Sequence, residues 1–191
     1  MRALITASFL LVVTPALAGD YMADRDQAPV INGCKLERET SCAGANLQGA
    51  DLSNMDLRSA NFRGADLSGA NLSHTSLRGA NLDGANLDNI TGYRLQIYRG
   101  SVRGATLRNA SLQGMQGEYL FAQGADFTGA DLTGANFDFS RFSGATLVNA
   151  IMPFSSFEIS WLPKANLEGA NMRGANLQEA KLGWPTWLTR T

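Results

Sequence analysis

Large apolar residues recur at every fifth position from Leu47 to Leu182 in a single phase. Of the 28 positions 47, 52, 57 and onward to 182, 25 hold Leu, Phe, Ile, Val or Met. If the large residue is position i, then i−2 is Ala in 18 of 28 units, and i−1 is Asn or Asp in half of them. Gly occupies i+2 in 13 of 28. Ala45-Asn46-Leu47-Gln48-Gly49 and Ala65-Asp66-Leu67-Ser68-Gly69 show the unit in its clean form. So strict a period over so long a span predicts stacked short repeats rather than a conventional globule.

The unit has a physical reading. In extended backbone, residues two apart point to the same side, so i−2 faces inward with i. Ala fits a crowded interior beside Leu, and Asn or Asp at i−1 points out to water. Five extended residues make one short side, so the chain must then bend. Gly at i+2 tolerates the backbone angles of a turn. A chain that bends every five residues and buries Leu each time coils around a central apolar stack.

The exceptions follow the same logic. Gly92, Gly117 and Ala122 stand at i, and each is preceded at i−2 by a bulky residue: Ile90, Met115 and Leu120. Volume moves from i to i−2 and stays inside, as a close-packed core requires. The irregular stretch from Thr91 to Gln123 is therefore expected to be degenerate coils in register, not a linker.

Residues 45 to 182 resemble the pentapeptide-repeat family, whose consensus is A-(D/N)-L-x-x. The resemblance implies an all-β fold: a right-handed quadrilateral β-helix with four pentapeptides per coil, about seven coils here. At about 4.8 Å per stacked layer the rod would be roughly 34 Å long. The five-residue period does not choose between three and four units per coil; the family supplies the four. Departures concentrate at 90–124 and 139–164, where outward positions carry unusual residues.

The start of the chain differs in composition. Met1-Arg2 is a short positive start, Ala3 to Val13 is apolar, and Ala16-Leu17-Ala18 offers a small-x-small cleavage site. This reads as a secretory signal of residues 1–18, too short to span a membrane. It implies an exported, periplasmic or otherwise extracytoplasmic protein with no stable membrane insertion after cleavage. A cap segment at 19–42, the β-helix at 43–183 and a tail at 184–191 follow. The mature chain holds 15 Lys plus Arg against 17 Asp plus Glu, close to neutral.

Cys34 and Cys42 lie just before the repeats, and Cys42 falls on the i phase. Two near cysteines in an exported chain favour a disulfide that ties the cap over the open end of the stack. Two reduced thiols or a metal site are the alternatives, and a metal site needs more ligands than the distant His74 supplies. At the other end, Trp184-Pro185-Thr186-Trp187-Leu188 leaves the pattern. It is expected to cap the last coil, with a homodimer contact between C-terminal ends as the alternative.

Catalysis needs groups of different pKa converging on one pocket, and the sequence shows no such constellation. His74 stands at an outward i+2 position, and no nucleophile elbow or phosphate loop is present. Glycosylation-like triplets such as Asn71-Leu72-Ser73 arise from the repeat itself. The expectation is a non-enzymatic protein without cofactor or metal.

The surface says more if coils repeat every 20 residues. One column then reads Arg58, Arg78, Tyr98, Glu118, Asp138, Glu158. Its neighbour reads Arg99, Tyr119, Phe139, Ile159, and across the corner lie Phe121, Arg141, Trp161 and Lys181. Large apolar side chains meet charges of both signs on one edge, which resembles an interface. Like carboxylates one layer apart repel, so Glu118, Asp138 and Glu158 suit a cation or a basic partner. The bland alternative is that these side chains pack on one another, with Arg141 over Trp161. The first expectation is an extracytoplasmic scaffold that binds an unidentified protein through this edge. The resemblance implies an alternative, because some family members imitate duplex DNA and modulate type II topoisomerases such as gyrase. That activity needs a strongly acidic rod. This chain is near neutral with Arg58, Arg63, Arg78, Arg103 and Arg108 outward, and it has no dominant basic stripe for nucleic acid itself.

Overall fold

Ser41 pairs in parallel with Asn61, Asn46 with Asp66, Asp51 with Asn71 and Asp56 with Ser76, and the same spacing of 20 residues continues to Trp161 with Lys181. That register fixes four units per coil and gives four parallel ladders, one on each side of a square rod. The ladder through Ser41 and Lys181 spans seven coils. In this computed structural model, residues 28–183 are described. The expected signal segment at 1–18 and the C-terminal tail at 184–191 lie outside them.

The coil-to-coil bonds are regular. Leu47 donates its N–H to the carbonyl of Asp66 at 2.7 Å, and Asp66 donates to Ala45 at 2.9 Å. Nearly every corner closes with a bond from i+3 back to i, such as Ala50 to Leu47 at 3.0 Å. The residue at i+2 has a positive φ at every corner from Glu39 to Glu179, whether glycine or not. A positive φ at the second central residue is the mark of a type II turn. The left-handed conformation is therefore imposed by the coil, and glycine is only its cheapest occupant.

The core runs along the axis. Leu47, Leu67, Leu87 and Leu107 are buried with the alanines of the wall, and Phe127, Phe137, Phe142 and Phe157 form an aromatic cluster in the later coils. Ile90, Met115 and Leu120 are buried, as the volume argument expects. Neighbours fill the gaps as well: a Cβ on Gly92 would lie 2.8 Å from Leu112 Cδ2, and one on Gly117 would lie 2.9 Å from Phe137 Cδ1. The ladders pass without interruption through 91–123. Three wall hydroxyls bond backbone of an earlier coil, as Thr75 donates to Leu52 O at 2.7 Å and Ser160 to Phe137 O at 2.6 Å, while Ser155 donates within its own corner to Met152 O at 2.8 Å.

Asn and Asp at i−1 do more than face water. In all fourteen such units the side-chain Oδ1 accepts the N–H of residue i+1, as Asp66 does from Ser68 at 3.0 Å. This Asx bond holds the corner and satisfies a donor that the ladder leaves free.

The first coil is covered by a two-stranded hairpin, β1 (Val30–Ile31) and β2 (Cys34–Lys35), antiparallel with Ile31 opposite Cys34. Asn32 and Gly33 both take positive φ, which Asn-Gly hairpin turns require. The side chain of Asn32 donates to Asn46 O at 2.7 Å, and Leu36 is buried beneath the hairpin. Cys34 and Cys42 form a disulfide, with both residues buried.

Candidate functional site

The fourth ladder carries Gln96, Gln116, Asn136 and Ser156; the first carries Ser101, Phe121, Arg141 and Trp161. The corner between them brings the candidate residues onto one edge. Tyr98, Glu118, Asp138 and Glu158 are half-buried at the start of that corner, and Arg99, Tyr119, Phe139 and Ile159 are exposed at its tip. Phe121 is half-buried on the adjoining face, beside exposed Arg141 and Trp161.

Aromatic contacts tie the columns together. Tyr98 meets Tyr119 edge-on at 5.5 Å, and Tyr119 stacks on Phe139 at 4.9 Å with the rings 8° from parallel. The Arg99 guanidinium lies 5.1 Å from the Tyr98 ring centre and 5.5 Å from that of Tyr119. Arg141 covers Phe121 at 5.4 Å, on the side away from Trp161. The expected stacking of Arg141 on Trp161 is thus replaced by one with the preceding coil, and Arg103 approaches Phe121 as well, at 4.4 Å.

The carboxylates have uneven duties. Asp138 Oδ1 accepts from the Ser156 hydroxyl and from the N–H of Glu158, so this side chain serves the ladder. Glu118 accepts only from the Asn136 amide, at 3.2 Å, and Glu158 from that of Asn176, at 3.1 Å. Among the described residues none of the three joins an ion pair.

Between the aromatic tip and the first face lies an open depression of about 650 Å³ lined by Tyr119, Gln123, Phe139, Ser140, Arg141, Ser143, Ile159 and Trp161. Gln123 Oε1 is buried there with no hydrogen-bond partner among the described residues. His74 is exposed at a different corner, edge-on to Tyr93 at 5.5 Å. The described residues bring no three His, Cys, Asp or Glu side chains together as a metal would require. None of their helices is long and apolar enough to cross a membrane.

Sequence reasoning missed two apolar residues on the same coil as Trp161. Phe154 is 70 % exposed at a corner, and Ile151 is 44 % exposed on a face. A signal for one existed. Ile151 and Trp161 replace the usual Asn or Asp at i−1, and the residues at i+1 are Pro153 and Pro163. Proline has no N–H to cap and is preferred at that turn position, so an apolar i−1 residue leaves no donor unpaired there.

The pentapeptide-repeats family model matches eight copies, over residues 38–73, 65–89, 122–153 and 155–184. This chain belongs to the pentapeptide-repeat family. Its fold is accordingly the right-handed quadrilateral β-helix, and the matched model describes a repeat scaffold rather than a catalytic domain. The unmatched span 90–121 is continuous with the rest of the ladders. Among solved structures, full-length QnrB1, a plasmid-mediated fluoroquinolone resistance protein, is similar with a TM-score of 0.54 and 19% identity, covering 81% of this chain and 89% of that one. HetL, involved in heterocyst differentiation regulation in the cyanobacterium Nostoc sp. strain PCC 7120, is 24% identical with a TM-score of 0.30, covering 76% and 88%. A search of curated protein sequences finds no match.

Proposed function

We propose that this pentapeptide-repeat protein is a non-catalytic, exported scaffold that binds a polypeptide through the edge from Tyr98 to Trp161. One observation carries the reading. Tyr119, Phe139 and Ile159 occupy left-handed corners with φ of 59°, 61° and 56°. A side chain with a Cβ costs about 1–2 kcal/mol there, and a β-branched or bulky one is a genuine outlier. Another corner of the same rod is glycine at 44, 64, 84, 104, 124 and 144. Large apolar groups at the strained positions of a single edge, exposed to solvent, fit a surface kept for recognition.

Export is supported by the apolar start with its small-residue cleavage site and by the disulfide, which suits an oxidising compartment. The likeness to QnrB1 supports the shared fold alone, and the near-neutral charge of this rod gives no reason to extend that protein's role to it. The test is a triple variant, Y119S/F139S/W161S, immobilised beside the wild-type protein and exposed to envelope extract. The variant should unfold cooperatively and lose the polypeptide that the wild type retains. Equal capture by both would remove the edge from the account.

A further inference from the structure

The edge is divided at mid-height. Its first column holds Arg38, Arg58 and Arg78 toward the N-terminal end, then Glu118, Asp138 and Glu158. The corner column holds Ser59 and Gly79, then Tyr119, Phe139 and Ile159. The adjoining face holds Asn61, Asn81 and Ser101, then Phe121, Arg141 and Trp161. In the first column arginines give way to carboxylates, and on the corner and the adjoining face small side chains give way to large ones.

We propose that a second copy of this chain covers the edge, running antiparallel about a two-fold axis that crosses it between the layers of Tyr98 and Glu118. The proposal rests on the reading of this edge as a protein-binding surface and names its partner. A two-fold at that height sets each layer against the one equally far on the other side. Tyr98 then meets Glu118 of the second copy, Arg78 meets Asp138, and Arg58 meets Glu158. Among the described residues Arg78, Arg99, Glu118 and Glu158 have no ion pair within their own chain. Arg58 is clamped by Asp56, with its Nε 2.7 Å from Oδ1, and so presents a fixed charge.

Shape follows the same register. Phe139 faces Gly79 of the second copy, Ile159 faces Ser59, and Trp161 faces Asn61. Each of these three large residues meets a smaller one. Tyr119 meets Arg99, a guanidinium already lying against tyrosine rings. A parallel pairing would set arginine on arginine and ring on ring, and like charges face to face oppose association.

Sedimentation velocity on the mature protein from about 1 to about 200 micromolar tests this. The wild type should shift from monomer to dimer with concentration. R58E and E158R should each weaken the dimer at least about tenfold, since each sets like charges together at two symmetric contacts. An equimolar mixture of R58E and E158R should associate again. In that heterodimer the two substituted side chains face each other with opposite charge, and the unsubstituted Glu158 of one copy faces the unsubstituted Arg58 of the other. S59C mixed with I159C should give a disulfide-linked heterodimer, which a parallel pairing cannot produce. A wild-type protein monomeric throughout, or a dimer indifferent to both reversals, overturns the proposal. If the monomeric rod still loses a captured polypeptide on Y119S/F139S/W161S substitution, the edge remains a binding surface and only its occupant was misassigned.

Discussion

Asp138 Oδ1 accepts the backbone N–H of Glu158, one coil further on, at 2.9 Å. In half of the units that donor is capped from within by Asn or Asp at i−1, but here Ser156 holds the position. The cap comes instead from the coil before. Asp83 does the same for Arg103, and Asp88 for Arg108, where Ser101 and Thr106 replace the usual residue. In these three units the corner bond is kept while the oxygen that accepts it changes coil.

This relation makes a compensation prediction. D138A should destabilise the rod by about 1 kcal/mol, the usual cost of removing a side-chain cap from a backbone N–H. Adding S156N should restore most of the loss by returning the cap to its own unit. Urea unfolding of D138A and D138A/S156N reads this directly, and equal stabilities for the two variants would refute it.

Acid sensitivity follows from the same bonds. Hydrogen bonds from the Ser68 hydroxyl and N–H hold the carboxyl of Asp66 below the usual aspartate range. Burial pushes Asp131 upward, but bonds from Thr133 and Gln113 outweigh it and hold that carboxyl low too. A carboxylate with a lowered folded-state pKa contributes stability above its unfolded value of about 3.9, and loses it as pH falls through the folded value. D66N/D131N should keep the corner bonds through the amide oxygen. Its stability should match the wild type at pH 7 and fall less between pH 4 and pH 2. Parallel pH-dependent unfolding curves for the two proteins would contradict this.

The shifted core makes a volume prediction. Leu120 stands at a wall position where alanine is usual, yet it is fully buried beside the small Gly117 and Ala122. L120A should cost about 2–5 kcal/mol, as for an axial leucine, because it leaves a cavity that neighbouring coils cannot close. A loss under about 1 kcal/mol by chemical denaturation would mean that Leu120 is not the volume that replaces residue 122.

These cases show how far the residues alone could be read. The apolar period exposed the axis, the alanine wall and the transfer of volume around Gly92, Gly117 and Ala122, because burial leaves its mark in residue size. The number of units per coil was not legible, since a five-residue period records which way side chains point and not which strands meet. The pairing of Ser41 with Asn61 settles it, and that is a tertiary fact. The columns of the edge followed once the spacing of 20 was assumed. The turn of Arg141 toward Phe121, the ladder duty of Asp138 and the exposure of Phe154 did not. Each depends on where a flexible side chain finds its partner between coils. Asn32-Gly33 was a readable hairpin signal in the cap, lying between Val30-Ile31 and Cys34-Lys35.

On the function proposed above, apolar side chains stand at strained corners of this rod for the sake of recognition, and Ile159→Asn tests that most directly. Asn already occupies the left-handed corners at 54, 89, 109 and 149. Thermal unfolding and association should be measured on the same I159N sample. The melting temperature should rise by about 2–4 °C, as for relief of about 1 kcal/mol, while capture and self-association both weaken. A lower melting temperature with binding unchanged would contradict it.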